Sequence, residues 1–62
     1  MPFITIKMLS GRSKEQKKRL IEAVTKDVEE ICNVKPESVW IVIEEVEKEH
    51  WATGGVLVSD RT

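Results

Sequence analysis

Apolar and polar residues alternate from Pro2 to Leu9. Ile4, Ile6 and Met8 fall on one side of an extended chain, and Phe3, Thr5, Lys7 and Leu9 on the other. Phe3, Ile4, Thr5 and Ile6 are β-favouring residues, so this stretch reads as a strand. The period then changes. From Ser13 to about Cys32 the apolar positions Leu20, Ile21, Val24, Val28, Ile31 and Cys32 recur at steps of one, three, four, three and one. Those steps trace a helical stripe. Ser13 and Gln16 form a capping-box pattern at its start. Lys14, Glu15, Lys17, Lys18, Glu22, Lys26, Glu29 and Glu30 fill the other side, as mixed charges do on a solvated face. Pro36 cannot continue the helix, because it has no N–H to give. Val39 to Ile43 is apolar on both faces, which suits a central strand covered on both sides. Gly54-Gly55 predicts a turn, and Val56-Leu57-Val58 a short strand able to pair with a neighbour's sheet.

The expected fold class is α+β, with a β-α-β protomer and a short C-terminal strand or hairpin. A helix of this length serves as a crossover, so the two strands run parallel and the connection is right-handed. One helix covers one face of a two-stranded sheet. The other apolar face needs a second source of cover, and another copy of the chain is the obvious one.

Length strengthens that expectation. The 62 residues make one domain, 1–62. A chain this short buries only about 60% of its unfolded surface and needs a staple. With one cysteine there is no internal disulfide, and with one histidine no pair of ligands at metal spacing. Self-association remains. The net charge of -1 leaves no electrostatic footprint for nucleic acid. No apolar run approaches the ~18 residues of a membrane span, and the N-terminus lacks the features of a signal peptide. A lone thiol fits a reducing compartment. The expectation is a soluble, cytoplasmic protein.

Pro2 is the most informative candidate for chemistry. Proline is tolerated at the first residue of a strand. Once methionine aminopeptidase has removed Met1, however, its nitrogen is a free secondary amine. Free α-amino groups titrate near ~7.7–8.0, and an apolar pocket or a nearby cation lowers that value. A base poised near neutrality is the efficient case. Arg12 sits in the loop beyond the first strand, where parallel sheets carry ligands, and reads equally as a surface arginine. Trp51 walls a pocket or packs against the sheet. His50 has no Ser, Cys or Asp partner in a readable motif and reads as a loop hydrogen-bonder. Cys32 reads as a small buried hydrophobe. Glu44, Glu45, Glu47 and Glu49 read as a solvated acidic turn.

Together these residues resemble the 4-oxalocrotonate tautomerase family. The similarity rests on Pro2 with its strand, on Gly-Arg-Ser-Lys-Glu-Gln-Lys from Gly11 to Lys17, and on Lys48-Glu-His-Trp-Ala-Thr-Gly-Gly to Gly55. It covers essentially the whole chain. The resemblance implies a β-α-β protomer in a homohexamer, a trimer of dimers, and a cofactor-free proton shift in an unsaturated 2-oxo or 2-hydroxy acid. By analogy, Pro2 takes the 2-hydroxyl proton of a dienol and returns it to a carbon further along the conjugated chain. Arg12 matches the arginine that binds the far carboxylate. Trp51 matches the aromatic wall of the pocket, and Leu9 another apolar position in it. One position departs from the family. A second arginine early in the second strand is here Trp40, which offers one N–H and no charge. The resemblance thus implies a substrate-binding position at Trp40 without a charge-assisted contact, and Arg61 is a candidate replacement from a neighbouring subunit. Two further readings stay open: a hydratase or dehalogenase acting on halogenated acrylates, with Glu44 or Glu45 activating water, and a non-catalytic or promiscuous family member.

Overall fold

The computed structural model describes residues 1–61. The first strand, β1, spans Phe3–Leu9. Its burial alternates: Ile4, Ile6 and Met8 are half-buried, while Phe3, Thr5 and Lys7 are exposed. The two-residue period of the sequence therefore sets which side meets the helix. The helix α1 runs Lys14–Cys32. Its start is closed by a complete capping box, in which the Gln16 N–H donates to Ser13 Oγ at 3.1 Å and the Ser13 N–H to Gln16 Oε1 at 2.9 Å. Its end is closed by Asn33 in the left-handed region, φ 54°. The Val34 N–H then reaches back to the Glu29 carbonyl at 3.2 Å, the closure expected of such a cap.

After one turn of 3-10 helix at Pro36–Ser38, β2 spans Trp40–Val46 and pairs with β1 in parallel. The register sets Ile4 beside Ile41 and Ile6 beside Ile43 on the helix side. On the opposite side it sets Phe3 beside Trp40, Thr5 beside Val42, Lys7 beside Glu44 and Leu9 beside Val46. Lys17, Ile21, Val24, Thr25, Val28 and Glu29 are the half-buried positions of α1. Lys17 Nζ joins the helix to the sheet through Glu45 Oε1 at 2.9 Å.

Two expectations need correction. The second strand extends past Ile43 to Val46, so Glu44 and Glu45 lie in a strand and not in an acidic turn. Lysines answer both of them, Lys7 at 3.9 Å and Lys17 at 2.9 Å. Cys32 is exposed rather than buried, and Ile31 is 83% exposed. A helix of 19 residues is about 28 Å long, while a strand of seven residues covers about 23 Å. The last turn of α1 thus outruns the sheet. The expected C-terminal hairpin forms: β4, Val56–Leu57, pairs antiparallel with β3, Ala52–Thr53. Gly54 and Gly55 both have positive φ, 59° and 81°, as the tight hairpin turn requires. Within one chain, β2 is covered on one face and open on the other. Phe3 is 62% exposed and Trp40 54%.

The protomer is open. Among the described residues no side chain is fully buried. The radius of gyration is 14.7 Å, where a compact domain of this length has about 11 Å. The accessible surface is 5046 Å², against about 4,100 Å² for a folded monomer of this mass. Among the described residues no helix is long and apolar enough to cross a membrane.

Candidate functional site

Pro2 precedes the first residue of β1 and is half-buried. Its carbonyl accepts the Trp40 N–H at 3.0 Å, which anchors it to the start of β2. Pro2, Phe3 and Trp40 therefore gather at one end of the sheet. Phe3 was not singled out in the sequence; only the parallel register sets it beside Trp40. The Pro2 nitrogen is an amide while Met1 is attached, so its chemistry as a base begins with the loss of Met1.

Leu9 and Arg12 stand at the other end. Leu9 is the last residue of β1 and is half-buried. Arg12 is exposed, and its Nη1 donates to the Leu9 carbonyl at 3.2 Å. Gly11, with φ 123°, turns the chain back so that this contact forms. The Ser10 N–H donates to the Val46 carbonyl at 3.0 Å, which fixes the ends of both strands together. Beyond Val46 a 3-10 turn at Lys48–His50 leads to Trp51, which is half-buried. His50 meets only the neighbouring carboxylate of Glu49, at 3.8 Å, and both are exposed.

Seven strand steps separate Pro2 from Leu9, about 23 Å at the rise of a β-strand. One chain therefore does not bring Pro2 and Arg12 together. Its surface cavities agree. One of about 290 Å³ is lined by Ser10, Glu47, Lys48, Glu49 and Ser59. Another of about 350 Å³ lies along α1 at Ile21, Glu22, Thr25, Lys26, Glu29 and Pro36. Neither includes Pro2, Arg12 or Trp51.

Arg61 is also placed. Its Nη2 donates to the Thr53 carbonyl at 2.7 Å and to Thr53 Oγ1 at 2.6 Å. This guanidinium is thus engaged by the hairpin of its own chain through Nη2. The sequence carried no signal for this contact, since a bond to a residue eight positions back follows no pattern of hydrophobicity.

A parallel strand pair crossed by one helix is shared with solved structures. The crystal structure of a homologue of 4-oxalocrotonate tautomerase superposes with a TM-score of 0.94, at 43% identity over 98% of this chain and 100% of that one. A heterohexamer 4-oxalocrotonate tautomerase from Chloroflexus aurantiacus J-10-fl gives 0.91 at 35% identity, over 97% of each chain. The 2-hydroxymuconate tautomerase of Bacillus subtilis is 45% identical over 60 residues, 97% of each chain. Residues 2–61 match the family model described as tautomerase enzyme. The fold is that of the 4-oxalocrotonate tautomerases. The chain belongs to the tautomerase family.

Proposed function

We propose that the chain, as a single tautomerase domain over 1–62, is a cofactor-free isomerase whose base is the Pro2 amine, freed by removal of Met1. The observation that carries this reading is the family match over residues 2–61, which begins at Pro2. The reaction is conversion of a 2-hydroxy-dienoate to its 2-oxo-enoate. The relative named as a 2-hydroxymuconate tautomerase supports that substrate class. Pro2 takes the 2-hydroxyl proton and delivers it to a carbon further along the conjugated system. Arg12 binds the far carboxylate and stabilises the charge that develops toward it, a contribution that is often the largest in catalysis. Leu9 and Trp51 wall the pocket and exclude water from the amine. Trp40 contacts the substrate's other end without a charge.

The 23 Å separation makes the site a property of the assembly. Among the described residues β1 pairs with one strand only, so its other edge is free. Two copies joined antiparallel along β1 about a two-fold axis set the Pro2 of one beside the Leu9 and Arg12 of the other. The open faces, with Phe3, Trp40 and Val42, are then covered by further copies, giving a homohexamer as a trimer of dimers. The heterohexameric structural neighbour supports six subunits as the natural number. The exposed free thiol of Cys32 suits a reducing, cytoplasmic setting. The alternative in which Glu44 or Glu45 activates water finds both carboxylates beside lysines, at 3.9 and 2.9 Å.

Subunit mixing tests the composite site. Pro2→Ala and Arg12→Ala oligomers are each impaired alone. Dissociated together and reassembled at equal ratio, they form hetero-dimers in which one site of two has both groups intact. Activity returns to about a quarter of wild type, because half the two-fold dimers are mixed. No recovery, from reassembled and mixed oligomers, refutes a site shared between chains.

A further inference from the structure

The C-terminal hairpin is small. It has two residue pairs, Ala52 with Leu57 and Thr53 with Val56. Val56 and Leu57 are 43% and 39% exposed, so little apolar burial fixes it within the protomer. A two-stranded hairpin of this kind is marginal alone in water. A closed circuit of hydrogen bonds holds it instead. The Val58 N–H donates to the Trp51 carbonyl at 2.7 Å, and the Arg61 N–H to the Val58 carbonyl at 3.1 Å. The Arg61 guanidinium then closes the ring on both oxygens of Thr53. It passes over the turn: a Cβ built on Gly54 lies 4.0 Å from Arg61 Nη2. Hydrogen bonds from a charged donor are roughly twice as strong as neutral ones. These are solvent-exposed, so their effect is to place the hairpin more than to stabilise the fold.

We infer that Arg61, acting through Thr53, is the positioning residue for Trp51. This rests on the proposed function, in which Trp51 walls the pocket. Trp51 immediately precedes β3, and its carbonyl belongs to the circuit. Its ring is therefore set by the clamp at the end of the chain. When the clamp opens, the Val58–Trp51 bond alone ties the 3-10 turn at Val58–Asp60 to the start of the hairpin, and the Trp51 wall is freer to shift. Water then reaches the amine and the substrate loses one side of its pocket.

The test uses the assembled enzyme without Met1, with assembly verified by native mass spectrometry. Arg61→Ala raises KM and lowers kcat/KM by about tenfold, the order expected when a pocket element moves by a fraction of an ångström. Thr53→Val removes the hydroxyl but keeps the carbonyl acceptor and reproduces part of this loss, whereas Thr53→Ser keeps both and stays near wild type. The double variant R61A/T53V is no worse than R61A, because R61A already removes the bond that T53V takes away. In a Trp40→Phe background Trp51 is the one tryptophan, and R61A shifts its emission to the red. Additive losses in the double variant overturn the inference, since Arg61 then acts on substrate directly. So does unchanged Trp51 emission, or unchanged kinetics despite a shifted emission. If the parent enzyme shows no tautomerase rate, the proposed function fails by itself, and the emission shift still decides whether the clamp holds Trp51.

Discussion

Pro2→Ala lowers kcat/KM for ketonisation of 2-hydroxymuconate by about 10²-fold or more, within the range that a positioned acid–base group contributes, while the oligomer stays intact. Alanine leaves a primary amine after Met1 is removed, so the residual rate is not zero. What it loses is the ring. The pyrrolidine ring blocks rotation about the N–Cα bond, and the carbonyl of Pro2 is tied to the Trp40 N–H. Together these fix where the nitrogen points. The primary amine of the variant turns freely about its bond and spends little time aimed at the substrate. The substituted position makes no fully buried contact, so assembly and unfolding are expected to match wild type. A Pro2→Ala enzyme as fast as the parent removes Pro2 from the mechanism.

Val42→Glu abolishes assembly, and activity with it. Val42 lies in the middle of β2 on the face away from α1, beside Thr5 and between the apolar ends formed by Phe3 with Trp40 and Leu9 with Val46. It is 42% exposed in the protomer. In the proposed hexamer that face is covered, so the variant places an unpaired carboxylate at an interface. The cost is several kcal/mol per copy, repeated in every subunit. The only cation on that face within β1, Lys7, already faces Glu44 at 3.9 Å. Sedimentation velocity is expected to give a shift from a hexamer to small species, together with a rate at background. A hexamer that survives Val42→Glu shows that the open face is not what the subunits share.

The strands and helix were legible because their periods differ so clearly. Ile4, Ile6 and Met8 repeat every second residue, and Ile21, Val24 and Val28 every third or fourth. The capping box at Ser13 was legible because both partners are named three residues apart. Cys32 and Ile31 were misplaced because a stripe says which side of a helix is apolar and not how far the sheet beneath it extends. The C-terminal hairpin was legible through the Gly54-Gly55 turn, whereas the bounds of Ala52-Thr53 were not, because two residues have no pattern of their own. Of the proposed site, Pro2 and Arg12 came from the resemblance, but their placement at opposite ends of one strand is a three-dimensional fact. Trp40 was legible as the position lacking a charge; its bond to the Pro2 carbonyl was not. The Arg61–Thr53 clamp is a side-chain contact across a turn, and nothing in composition or spacing marks it.

The central claim is that a free Pro2 amine is the base. A chain of 62 residues is within reach of chemical synthesis, so it can be made both with Met1 and without it. Both are assembled, their intact masses verified, and the ketonisation of 2-hydroxymuconate followed by ultraviolet absorbance. The chain beginning at Pro2 is expected to run far above background and the Met1 chain at background, since an amide nitrogen takes no proton at neutral pH. Equal rates from two assembled samples would contradict the account.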